Sequence, residues 1–65
     1  MGGESMYSKF EELLKENGVT AYEVAKATGI PNSTFSDWKR GKSKPKIKKL
    51  KKIAEYFQIP ITEII

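Results

Sequence analysis

The stretch Thr20-Ala-Tyr-Glu-Val-Ala-Lys-Ala-Thr-Gly-Ile-Pro-Asn-Ser-Thr-Phe-Ser-Asp-Trp-Lys-Arg-Gly-Lys42 decides the fold. Thr20 and Glu23 form a capping-box pattern. The threonine side chain accepts from the Glu23 N–H, and the glutamate reaches back to the Thr20 N–H, so a helix opens here. Ala21, Val24, Ala25 and Thr28 line its inner face, with Ala25 small enough for a close helix–helix approach. Gly29 ends the helix, and Ile30 drops toward the core as the chain reverses. Pro31 cannot continue a helix, but its fixed φ suits the entrance to the next one. That helix covers 32–40. On a wheel of ~100° per residue, Ser33, Ser36, Asp37 and Arg40 share one polar face, while Phe35 and Trp38 lie opposite. Its inward angle assigns Trp38 to the core, with stacking on a base as the alternative. The stretch reads as two short helices joined by a tight turn, the second presenting short polar groups outward.

Upstream, residues 1–5 read as a disordered extension or cloning remnant. A helix then starts at residue 6 or 8 and runs to 17. Met6, Phe10, Leu13 and Leu14 make its apolar stripe, Glu11, Glu12, Lys15 and Glu16 its wet side, and Asn17-Gly18 its stop. Downstream, 41–46 carries the turn chemistry of a loop. A helix over 47–57 follows, with Ile47, Leu50, Ile53, Ala54 and Phe57 as its buried stripe and Lys48 and Lys52 on the far side. Gln58, Ile59 and Pro60 break it, and 61–65 begins a fifth helix. The expected architecture is all-α and compact, one domain over 6–65.

Composition bounds the function. A chain of 65 residues is one domain, and it buries only ~60% of the surface its unfolded form exposes. There is no Cys and no His, which removes disulfides, the commonest zinc ligands and the commonest general base. No metal, cofactor or catalysis is expected. The absence of Cys fits a reducing cytoplasm, the expected location, and no apolar run approaches the ~18–20 residues of a membrane span. The net charge of +4 conceals an asymmetry. Residues 1–32 carry −2 and residues 33–65 carry +6. All nine cations of the second half fall between Lys39 and Lys52, with no acid among them. Such a block creates a local positive potential that attracts polyanions. Its alternative reading is a solvated face that keeps a small domain soluble.

The order Thr20, Glu23, Val24, Ala25, Thr28, Gly29, Ile30, Ser33, Thr34, Phe35, Ser36, Trp38, Gly41, Lys42, Pro45, followed by Lys52, Ile53, Ala54 and Phe57, resembles the Cro and lambda-repressor type helix-turn-helix domain, the XRE family. The resemblance covers about residues 6–65. It implies a five-helix lambda-repressor-like fold and a role in transcription regulation. In that family the second motif helix enters the major groove and the first crosses the phosphate backbone. Carried onto this chain, the resemblance makes Asn32 and Ser33 base-edge candidates, with Ser36 and Asp37 one turn deeper. Asn pairs with adenine, Ser with several bases, and Asp accepts from cytosine N4. Many relatives place Gln near the start of the first motif helix, where this chain has Ala21, so Thr20 and Tyr22 become the phosphate candidates there. Lys39, Arg40, Lys42, Ser43, Lys44 and Lys46 are the remaining phosphate candidates, Lys46 beside the free N–H groups that open the fourth helix.

Each assignment has a bland counterpart: Asn32 as a cap, Ser33 and Ser36 as inert surface, Asp37 paired with Arg40 or Lys39, and Tyr22 as packing. The expected function is sequence-specific binding of double-stranded DNA by a bacterial or phage regulator of the repressor type, on a palindromic operator. A weak homodimer is expected, through the fifth helix or a missing C-terminal region. The apolar, uncapped ending Glu63-Ile64-Ile65 reads as a fragment of a longer regulator. Two competitors stand beside this reading. One is a protein-interaction module of antitoxin type, using Ile59, Ile61, Ile64 and Ile65. The other is a nonspecific nucleic-acid or anionic-membrane binder using the lysines of 39–52.

Overall fold

Four helices grow from the local signals. In the computed structural model, which describes residues 6–65, they are α1 (Met6–Asn17), α2 (Ala21–Thr28), α3 (Asn32–Lys39) and α4 (Ile47–Phe57). Among the described residues there is no strand. The capping box forms as expected. The Thr20 N–H donates to Glu23 Oε1 over 2.9 Å, and the Glu23 N–H donates to Thr20 Oγ1 over 3.1 Å. The Gly29 N–H closes the helix on the Ala25 carbonyl at 2.9 Å, and its left-handed φ of 77° then turns the chain into Ile30.

The core forms where the stripes of these helices meet. Phe10, Val24, Ala25, Ile30, Phe35, Trp38, Leu50, Ile53 and Ile64 are buried together. Phe10 is its hub: its ring stacks on Phe35 at 5.1 Å and on Trp38 at 5.2 Å, with Phe57 edge-on at 6.3 Å. A fully buried Phe contributes roughly 1.5–3 kcal/mol through area alone, and each aromatic pair adds about 0.5–1.5 kcal/mol. One α1 residue therefore anchors α3 and α4 at once.

The structure corrects three expectations. The fifth helix is a single 3-10 turn, Ile61–Glu63, so the α-helices among the described residues number four. Pro60 fixes its entry, and the Ile64 N–H bonds the Ile61 carbonyl at 3.0 Å. With three residues per turn, positions i and i+3 eclipse. Ile61 and Ile64 can therefore both face the core, and Ile64 is fully buried. The third helix ends at Lys39 rather than Arg40, which is its C-cap. Ile47, expected in the buried stripe, is 53% exposed. It is the first residue of α4, one turn before Leu50 meets the core, while Pro45 in the preceding loop is the buried residue at that end.

Candidate nucleic-acid interface

Burial of Phe35 and Trp38 fixes which side of α3 faces water. With both rings in the core, Asn32, Ser33 and Ser36 are exposed and Asp37 is half-buried. Trp38 is 6% exposed, and Tyr7 closes over it edge-on at 5.3 Å. Asn32 does not cap the helix. Pro31 occupies the N-cap, and no side chain caps α3. The bland role for Asn32 therefore falls away, and its amide projects from the first turn.

Asp37 and Arg40 are brought together. Arg40 Nη2 donates to Asp37 Oδ1 over 3.2 Å, a pair at i and i+3. The end of α3 is held firmly: the Arg40 N–H reaches the Ser36 carbonyl at 3.1 Å, and the Lys42 N–H reaches the Asp37 carbonyl at 2.8 Å. These bonds tie the first loop cation to the last turn of the helix. Lys39, Arg40, Lys42, Ser43, Lys44 and Lys46 are all exposed. Among the described residues, Lys39, Lys42, Lys44 and Lys46 form no ion pair. The first turn of α1 and the segment 38–44 line an open groove of about 900 Å³, so Lys42 and Lys44 border open space.

The start of α4 has an unfavourable electrostatic design for an isolated protein. Lys46 is its N-cap without a side-chain bond, no acid stands in the first turn, and Lys48 and Lys49 follow directly. A helix N-terminus carries about half a positive charge and prefers anions by ~0.3–1 kcal/mol each. Cations placed there cost stability that an external anion would return.

The α2 candidates behave differently. Thr20 is committed to its cap, its hydroxyl oxygen accepting from Glu23 and lying 3.4 Å from the same carboxylate. Tyr22 is 61% exposed, so plain packing does not account for it. The Lys26 ammonium sits 5.9 Å from the Tyr22 ring centroid, a cation–π pair one helical turn long. Lys26 was not singled out in the sequence, though the i, i+4 spacing from Tyr22 was the available signal. Tyr7 was missed as well. Tyr7 sits three residues before Phe10, and its ring lies 5.8 Å from that of Phe10. Burial first, and the nearby Glu11 carboxylate second, raise the Tyr7 hydroxyl above its ordinary pKa of 10.0. Among the described residues, no helix is long and apolar enough to cross a membrane.

Comparison with known proteins places the fold in a family. The helix-turn-helix family HTH_3 matches residues 5–64. The chain is similar to the cryptic phage CTXphi transcriptional repressor RstR of Vibrio cholerae, 29% identical over 58 residues that cover 89% of this chain and 52% of that protein. It is also similar in structure to a transcriptional regulator from Listeria innocua, with a TM-score of 0.77 and 28% identity over 94% of this chain and 57% of that one. The chain thus spans about half the length of the relatives it matches.

Proposed function

The chain belongs to the helix-turn-helix family HTH_3; we propose that it is the DNA-binding domain of a transcription regulator and reads a specific duplex by laying α3 in the major groove. The observation that carries this reading is the division of α3. Phe35 and Trp38 are buried, while Asn32, Ser33, Ser36 and Asp37 make up a face of short polar groups that fits base edges. Exposed cations follow at Lys39, Arg40, Lys42 and Lys44. Lys39, Arg40, Lys42, Ser43 and Lys44 are proposed to follow the phosphate backbone beside α3. Lys46 and the open N-terminal turn of α4 are proposed to hold a further phosphate. Tyr22 contacts the backbone from α2 in this reading, and Thr20 contributes through its cap. Phosphate contacts position the domain and the α3 face selects the sequence.

The repressor role rests on the name of the phage relative. A palindromic operator, a weak homodimer and action in the cytoplasm complete the proposal, with half-sites about one helical turn apart. The antitoxin-type competitor is weakened by the C-terminal cluster itself: Ile64 is fully buried in this domain and Ile61 packs on the same core, which leaves Ile65 as the exposed member. The test is selection of bound duplexes from a random DNA pool at near-physiological salt. Enrichment of one motif supports the reading. Equal recovery of all duplexes would leave only lysine-driven binding.

A further inference from the structure

We propose that Asp37 reads a cytosine through its Oδ2 while Arg40 holds Oδ1, so that this pair sets sequence preference by excluding wrong bases. The inference rests on the DNA-facing reading of α3 and goes one step beyond it.

Asp37 is the lone acid between Glu23 and Glu55, a span that holds all nine cations of Lys39–Lys52. An anion in that setting works against binding any polyphosphate. Stability does not explain its presence. The pair is largely in water, Arg40 being 66% and Asp37 37% exposed, and exposed i, i+3 pairs contribute only a few tenths of a kcal/mol.

The geometry is suited to reading. The backbone carbonyl of Asp37 accepts from the Lys42 N–H at 2.8 Å, and the Arg40 N–H reaches the Ser36 carbonyl at 3.1 Å, so the backbone of both residues is held in place. Arg40 engages a single carboxylate oxygen, Oδ1 at 3.2 Å, leaving Oδ2 for another donor. The guanidinium has five N–H donors, so it can hold Asp37 and still face a phosphate.

In the major groove cytosine offers its N4 amine, whereas guanine offers only acceptors and thymine an acceptor and a methyl. Adenine offers an amine flanked by the N7 acceptor, which repels a carboxylate. On a wrong base Oδ2 would be desolvated without a donor, which is unfavourable. Discrimination then comes chiefly from the penalty on wrong duplexes, a recognised route to specificity. Arg40 acts as a positioning residue and Asp37 as the reader.

The experiment titrates the 65-residue domain and its Asp37→Asn, Arg40→Gln and doubly substituted forms against the selected duplex, its single-base-pair variants and a scrambled duplex. Circular dichroism confirms that each remains folded. The wild-type domain should favour cytosine at one position by roughly tenfold or more. Asp37→Asn should abolish that preference, leave preferences elsewhere intact and bind the scrambled duplex several-fold more tightly. Arg40→Gln should weaken the preference at the same position, and in the Asp37→Asn background it should change base preference no further. Two results overturn the inference alone: an unchanged preference in Asp37→Asn, or an equal loss on every duplex. A wild-type domain that selects no sequence at all overturns the underlying DNA reading instead.

Discussion

Phe10 and Trp38 stack with ring centroids 5.2 Å apart and planes 28° from parallel, which fastens α1 to the back of α3. The outward surface of α3 is set by this inward contact. Removing the Trp38 ring should therefore be a folding defect. Trp38→Ala should cost ~3–5 kcal/mol, enough to unfold much of so small a domain, whereas Trp38→Phe should keep both fold and DNA affinity. Urea unfolding followed at 222 nm measures the first effect. A cooperative, native-like Trp38→Ala domain that had lost only DNA binding would make the ring a ligand contact.

The cations at the start of α4 predict a trade between stability and binding. Lys48→Glu places an acid in the first turn, where the helix dipole favours it by ~0.3–1 kcal/mol. The midpoint of thermal unfolding should rise by a few degrees while affinity for any duplex falls. Loss of both stability and affinity would show that Lys48 supports the fold in some other way.

Lys42 and Lys44 border open space beside α3 and, among the described residues, form no ion pair. In their proposed role as phosphate contacts they would release counterions, so replacing either by Gln should flatten the plot of log K against log salt by about one unit. Selected and scrambled duplexes should lose affinity alike. An unchanged slope in the double replacement removes the loop from the interface.

Two left-handed helix ends should respond with opposite signs. A Cβ at Gly29 would meet nothing within 4 Å, so the cost of Gly29→Ala is backbone strain at φ 77°, ~1 kcal/mol. Gln58 occupies the same region at φ 58° with a side chain. Gln58→Gly relieves ~1–2 kcal/mol of strain and gives back ~0.4–1 kcal/mol in unfolded-chain entropy. The net effect should be a small stabilisation. Urea midpoints of the two variants should move in opposite directions.

Tyr7 gives the domain an alkaline limit. Its folded-state pKa lies above the ordinary 10.0, so the folded state holds the proton more tightly than the unfolded chain. Its stabilising share is complete below pH 10 and is lost as pH rises through the folded value. Stability should fall more steeply above pH 10 in the wild-type domain than in Tyr7→Phe. Identical slopes between pH 9 and 11 would mean that the hydroxyl is solvated in both states.

The α2–α3 stretch was legible in the sequence because its signals are local. A capping box needs only Thr20 and Glu23 three residues apart. A left-handed turn needs only a residue such as Gly29, and an amphipathic face needs only the spacing of Phe35 and Trp38 against Ser33 and Ser36. The acid-free run of cations was legible for the same reason, since charge density along a chain survives any folding.

Tertiary structure alone decided the rest. Periodicity placed Ile47 on the buried stripe of α4, but where a stripe stops is set by what lies across from it. Burial begins one turn later, at Leu50. The segment after Pro60 reads as a helix by apolar spacing, yet seating both Ile61 and Ile64 on the core tightens it to a 3-10 turn. Asp37 had two possible partners in sequence, Lys39 and Arg40, and only the side-chain geometry chose Arg40 and left one carboxylate oxygen free. Tyr7 is an unremarked residue in the sequence and becomes the lid of Trp38 once α1 crosses α3. Short-range hydrogen bonding and periodicity made the helices and their caps readable. Which faces met, and therefore which polar groups remained exposed, depended on long-range packing that no local window contains.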